Sequence, residues 1–101
     1  MRRIKMIVDD IHEELEGALH YAECFVQSKS DGDPALSERF RSMSEDELRH
    51  ASILHSRAVD EIRKLEQHYH PTNEMKDAWD ESHREYVKMH QWIEELLEKN
   101  S

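Results

Sequence analysis

Apolar residues recur every three or four positions along most of the chain, which is the spacing of an amphipathic α-helix. Two stretches rich in turn-forming residues, 28–34 and 70–73, interrupt this pattern. Pro34 suits the first turn of a helix, Pro71 stops one, and Thr72 or Asn73 can cap the next. The pattern therefore predicts an all-α protein with helices over about residues 3–28, 34–69 and 73–98.

In the first segment the apolar side chains share one stripe when successive residues are placed about 100° apart. Glu14 and Tyr21 lie at the edge of that stripe, whereas Glu13, Glu16 and His20 point further away. The stripe consists of Ile4, Ile7, Val8, Ile11, Leu15, Ala18, Ala22, Phe25 and Val26.

In the second segment three ionisable residues, Glu47, His50 and Glu61, stand within the predicted core stripe. Burying an ionised carboxylate without a partner costs several kcal/mol, so Glu47 needs a proton, an opposite charge or a metal ion. The apolar members of this stripe are Leu36, Phe40, Met43, Ala51, Leu54, Ala58 and Leu65. The third segment has Met75, Trp79, Tyr86, Ile93 and Leu97 on one side, with His83 and His90 interleaved.

The sequence Glu47-Leu48-Arg49-His50 is a Glu-x-x-His motif, whose spacing lets both side chains reach one point beside a helix. Carboxylate oxygen and imidazole nitrogen together suit iron or manganese. Glu14 is the available further carboxylate. The alternative for Glu47 and His50 is a buried hydrogen-bonded pair that sets helix register, and a stripe-edge residue such as Glu14 is often simply solvated.

A four-helix di-metal centre takes ligands from two Glu-x-x-His helices and two further helices, and this chain supplies half of that set. Two copies related by a twofold axis would supply four glutamates and two histidines, namely Glu14, Glu47 and His50 from each. We therefore expect a helical hairpin plus a third helix that completes a four-helix bundle by homodimerisation.

Composition narrows the range of functions. The 101 residues carry a formal net charge of -9 and include only 2 Gly and 2 Pro, which favours a single domain of long helices. The acidic balance argues against nucleic acid as a partner, and the apolar runs are too short to cross a membrane. The N-terminus lacks the features of a secretory signal, and Cys24 is the only cysteine, so we expect a cytoplasmic protein.

Taken in order, four motifs resemble the encapsulated ferritin family, a short branch of the ferritin-like superfamily. They are Glu13-Glu14-Leu15-Glu16, His20-Tyr21, Asp33-Pro34-Ala35-Leu36 and Glu47-Leu48-Arg49-His50, within about residues 11–60. The resemblance implies half a ferritin bundle per chain, a di-iron ferroxidase centre across a dimer interface, and often a larger ring inside an encapsulin shell.

Residue by residue, the resemblance implies that Glu14, Glu47 and His50 are iron ligands. Glu13 and Glu16 match carboxylates that the family uses as outer metal-entry sites, and Tyr21 matches an aromatic residue beside the centre. The chain departs from the family at His20, where a second aromatic residue is usual, and in a longer 21–33 stretch and a longer third segment. Residues 94–101 are typical of a polar helix end rather than a docking peptide, so an encapsulin shell and a free-standing homodimer or ring stay open as alternatives.

The leading hypothesis is a ferroxidase that oxidises Fe(II), with manganese as the other metal that suits the ligands. A rubrerythrin-like peroxidase would use the same site with a different oxidant. A non-enzymatic helical oligomerisation module is the alternative from another class. We expect Glu61 to pair with Arg57 or Lys64, His83 and His90 to pack or support the site, and Cys24 to point outward.

Overall fold

The computed structural model describes residues 2–101, which form three α-helices: α1 (Arg2–Ser30), α2 (Pro34–Glu66) and α3 (Asn73–Lys99). No strand occurs in this range, and the all-α prediction is confirmed. The molecule is elongated, about 56 Å by 17 Å by 16 Å. No helix within residues 2–101 is long and apolar enough to cross a membrane.

A short turn joins α1 to α2 and makes them antiparallel. Gly32 adopts φ 79°, a left-handed conformation that costs glycine little because it has no Cβ. Asp33 then caps α2, because its carboxylate accepts a hydrogen bond from the Leu36 backbone N–H at 3.1 Å. Pro34 occupies the first turn, as the sequence predicts.

The second helix ends at Glu66, three residues before the predicted end at residue 69. The backbone N–H groups of His68 and Tyr69 both donate to the Leu65 carbonyl, which closes a turn instead of extending the helix. Proline disfavours helical backbone in the residue before it, so the chain leaves the helix ahead of Pro71. Thr72 caps α3 as predicted, with its hydroxyl accepting from the Met75 N–H at 3.2 Å.

Small residues allow α1 and α2 to pack closely. Ser37, Ser44, Ala51 and Ala58 recur at intervals of seven along α2 and are at most 3% exposed. Two of them donate hydrogen bonds to backbone carbonyls of α1: Ser37 Oγ to Phe25 O at 3.2 Å and Ser44 Oγ to Ala18 O at 2.7 Å. These hydrogen bonds form only because the two helix backbones are close enough for a serine hydroxyl of α2 to reach a backbone carbonyl of α1.

This close packing corrects the predicted core stripe of α2. Leu36 and Met43, predicted in the core, are 42% and 40% exposed, whereas Ser37, Ser44 and Leu48 are buried. The apolar pattern was misleading because buried serines satisfy their hydroxyls on α1 and contribute to the interface despite being polar. The stripe predicted for α1 is confirmed at its centre, where Ile4, Ile11, Leu15, Ala18, Ala22 and Phe25 are buried.

The third helix packs mainly against α1 and reaches α2 chiefly through its side chains. Its Ile93 and Leu97 are 0% and 4% exposed and join the core between the helices. Trp79, Tyr86 and Met89 cover the same core from the side.

Candidate metal centre

Three of the predicted site residues meet at one level of the hairpin. Glu14 comes from α1, and Glu47 and His50 come from successive turns of α2. One ligand atom of each lies within 4.8 Å of the others. The Glu-x-x-His spacing brings the α2 pair together locally, and the antiparallel packing of α1 brings Glu14 opposite them.

This group lies at the edge of the hairpin and not in its core. The His50 side chain is 49% exposed, so the prediction that it stands within the core face is wrong. The reason is the rotated packing of α2, which places Ser44, Leu48 and Ala51 in the interface. Glu14 and Glu47 are half-buried. A cation at this position would have protein on one side and solvent on the other.

Glu14 provides an oxygen that lacks a donor. Its Oε2 is buried, and no N–H or O–H group within residues 2–101 donates to it. His50 Nδ1 lies 3.5 Å away, in a contact without hydrogen-bond geometry. A buried carboxylate oxygen is costly to leave unsatisfied, so a proton or a cation between these side chains would stabilise the site.

Glu47, the second carboxylate of this group, has a raised pKa. A hydrogen bond with Glu14, partial burial and the negative charge of Glu14 raise the pKa of Glu47 to about 7, against an opposing effect of His50. Two carboxylates this close do not both ionise easily, so they share a proton near neutral pH. A divalent cation bound between them would replace that proton.

Gly17 also contributes to this site, although the sequence analysis did not predict it. A Cβ at this position would lie 3.1 Å from Glu47 Oε2, closer than ordinary van der Waals contact. Glycine within a helix costs about 0.5–1 kcal/mol relative to alanine, so its presence calls for a local reason. The space it leaves accommodates the Glu47 carboxylate. The feature of the sequence that could have indicated this role is a single glycine inside α1, one turn after Glu14.

The remaining residues singled out by the family resemblance lie outside this group. Tyr21 is half-buried and stacks on Phe40, with ring centroids 6.3 Å apart. Glu13 and Glu16 are exposed, and Glu16 Oε1 lies 3.0 Å from His12 Nε2. Their roles as a neighbouring aromatic residue and as outer entry sites stay predictions.

Glu61 lies beside Arg57, one of the two partners expected for it. Its carboxylate is buried, with Oε1 3.1 Å from Arg57 Nη2 and Oε2 3.9 Å from Arg3 Nη1. Arg57 and not Lys64 is therefore its neighbour on α2. Glu61 follows Glu47 by fourteen residues, or about 21 Å along the helix, so it belongs to a separate ion-pair cluster.

The other ionisable residues of interest also lie elsewhere. His83 and His90 contact α2 residues at the seam between α2 and α3, where neither joins the Glu14, Glu47 and His50 group. Cys24 is half-buried, with Sγ 3.7 Å from His20 Nε2, so it is less outward than expected.

The donor set fits a divalent cation on two grounds. Glu14 and Glu47 place two carboxylates so close together that a proton or a cation must offset their charge, and the space beside Gly17 accommodates one of them. Two carboxylates and one imidazole suit Fe(II) or Mn(II). Comparison with known protein families, characterised proteins and solved structures gives no match, so these residues and their geometry carry the functional argument.

Proposed function

We propose that this protein is a ferritin-like ferroxidase, which oxidises Fe(II) to Fe(III) at a di-iron centre shared between two subunits and so serves iron storage or detoxification. The observation that carries the proposal is the convergence of Glu14, Glu47 and His50 around a buried carboxylate oxygen that has no donor. The same chemistry would accept Mn(II), whose ligand preferences are similar.

Sharing the centre between subunits follows from the ligand count. One chain offers two carboxylates and one imidazole at this point, which is half of a di-metal ligand set. The same side of α2 carries Leu36, Phe40 and Met43 at helical spacing with Glu47 and His50. Leu36 and Met43 are 42% and 40% exposed, and a second copy related by a twofold axis would cover them. We propose that this contact completes a four-helix bundle.

The chemistry assigned to the chain is electrostatic. Each Fe(II) is a substrate that loses one electron, and dioxygen accepts two electrons and two protons to become hydrogen peroxide. Carboxylates from Glu14 and Glu47 favour the ferric product, because oxygen anions stabilise the more highly charged ion. Glu47 releases its shared proton when a cation binds. The net charge of -9 attracts cations, and Glu13 and Glu16 are proposed as outer stepping sites.

A second candidate is a non-enzymatic oligomerisation module. The observation in its favour is the raised pKa of Glu47, to about 7, which lets the two carboxylates satisfy each other through one proton without any metal. A proton-sharing pair at a subunit contact would specify register. This candidate expects no metal in the purified protein and intact assembly in Glu47→Gln.

The test is aerobic oxidation of Fe(II) added to anaerobically purified protein, followed by ferric absorbance and dioxygen consumption. Glu47→Gln should abolish iron binding and catalysed oxidation. Glu45→Gln is the matched control, because Glu45 is an exposed carboxylate on the same helix, paired with Arg41. Equal rates in the two variants, or no iron uptake by the native chain, would overturn the proposal. Faster oxidation with hydrogen peroxide than with dioxygen would indicate a rubrerythrin-like peroxidase.

A further inference from the structure

A pair of histidines joins α2 to α3 outside the Glu14, Glu47 and His50 group. His55 Nε2 of α2 lies 2.9 Å from His83 Nδ1 of α3. Residues 2–101 place no carboxylate within salt-bridge distance of either ring, whereas His12 has two and His50 and His90 have one each. The two imidazole rings, from different helices, are thus hydrogen-bonded to each other and have no acidic partner.

The surrounding side chains orient the ring of His55 and leave the ring of His83 accessible. The His55 ring lies between aromatic side chains, with its centroid 4.1 Å from that of Tyr86 and 5.6 Å from that of Trp79. His83 is exposed and can adjust its position. The contact between the two rings is itself exposed, so solvent and small ions reach the pair.

We propose that His55 and His83 form a second metal site, which binds a divalent transition-metal ion such as Cu²⁺, Ni²⁺ or Zn²⁺ and links α3 to α2. Metal–nitrogen bonds of about 2.0–2.1 Å separate two ligating nitrogens by about 2.9 Å at the right angles of tetragonal Cu²⁺ or Ni²⁺, and by about 3.3 Å in tetrahedral Zn²⁺. The observed 2.9 Å contact therefore needs to open by no more than about 0.4 Å, which the exposed His83 side chain allows. Water molecules complete the coordination.

The ligand type distinguishes this site from the carboxylate-rich one. Imidazole nitrogen suits copper, nickel and zinc, and affinity rises along the series from Mn²⁺ and Fe²⁺ to Cu²⁺. The ligands come from two helices, so the ion binds the state in which α3 is docked and stabilises that state by linkage. This site does not depend on the proposed ferroxidase activity.

The test uses the 101-residue chain carrying Glu47→Gln, which removes one carboxylate of the other centre, titrated with Cu²⁺ or Zn²⁺. We expect one ion per chain, a higher melting temperature, and nitrogen hyperfine coupling in the Cu²⁺ electron paramagnetic resonance spectrum. His83→Gln should weaken binding at least about tenfold. His68→Gln is the control, because His68 is exposed in the turn after α2.

Equal affinity in His83→Gln and His68→Gln would overturn the proposal. So would a Cu²⁺ spectrum of the Glu47→Gln protein without nitrogen coupling, a measurement that does not depend on how the histidine variants fold. Oxidation of Fe(II) by His83→Gln in the native background should be unchanged, which separates the two sites experimentally.

Discussion

Glu14 and Glu47 meet across the α1–α2 interface closely enough that the pKa of Glu47 rises to about 7. The two side chains come from antiparallel helices, and Gly17 leaves the space in which the Glu47 carboxylate lies. In the metal-free protein a proton on this pair offsets the charge of the two carboxylates at pH values below about 7. The relation between these two residues therefore links helix packing, stability and metal affinity, and each link can be measured.

Glu47 should make the metal-free protein less stable as pH rises. The folded-state pKa of about 7 exceeds the ordinary value of 4.5, so the folded chain binds the proton more tightly between those values. The free energy of unfolding should fall as pH increases from about 5 to about 8, and this slope should shrink in Glu47→Gln. Denaturant unfolding with a chelator present measures it. A slope equal to that of the Glu45→Gln control would contradict the prediction.

Gly17→Ala should weaken metal binding without unfolding the protein. The added Cβ lies 3.1 Å from Glu47 Oε2, so the carboxylate must shift, whereas alanine favours the helix by about 1 kcal/mol. We expect at least about a tenfold loss of Fe(II) affinity together with an unchanged or higher melting temperature. Isothermal titration and thermal unfolding provide both values. Ser42→Ala, at an exposed helical position, should change neither affinity nor assembly.

Ser44→Val should separate α1 from α2. Ser44 is fully buried and donates to the Ala18 carbonyl at 2.7 Å, so a larger side chain overpacks the interface at a cost of about 1–3 kcal/mol. Metal affinity should fall as well, because Glu14 and Glu47 are on opposite sides of that interface. Ser44→Ala, which loses only the hydrogen bond, should cost about 1 kcal/mol. A Ser44→Val protein as stable as Ser42→Val would show that the close packing is not required.

His55 should make the docking of α3 sensitive to acid. Burial, with a smaller contribution from His83, lowers the pKa of His55 below its ordinary value of 6.5, so the unfolded chain binds this proton more readily than the folded one. Stability should be lost as pH falls below about 6.5, in the opposite sense to the Glu47 effect. Hydrogen exchange of α3 amides in Glu47→Gln, with and without His55→Gln, measures it. Equal acid sensitivity in the two proteins would count against His55.

Met43→Glu should prevent dimer formation. Met43 is 40% exposed on the same side of α2 as Glu47, where the proposed second copy docks. Sedimentation equilibrium should show a dimer for the native chain and a monomer for Met43→Glu. Val87→Glu is the control, because Val87 is 49% exposed on α3. A native monomer, or dimers in both variants, would contradict this arrangement.

Much of the fold follows from local patterns, whereas the candidate site follows from them only in part. Pro34 and the cap residue Thr72 marked the starts of α2 and α3, because first-turn prolines and caps act through local backbone geometry. Glu47 and His50 could be paired from their spacing alone. The exposure of His50 could not be predicted from the sequence, since it depends on which face of α2 contacts α1.

The sequence by itself determined three helices, their antiparallel order and the alignment of Glu47 with His50, because turns, caps and helical spacing are local properties. Only the tertiary structure decided that Ser37 and Ser44 form the α1–α2 interface, that Gly17 accommodates Glu47, and that an oxygen of Glu14 is left without a donor. The physical reason is that small and polar side chains have no hydrophobic signal. Their role emerges only when two backbones approach closely enough for a hydroxyl, or a missing Cβ, to set the distance between helices.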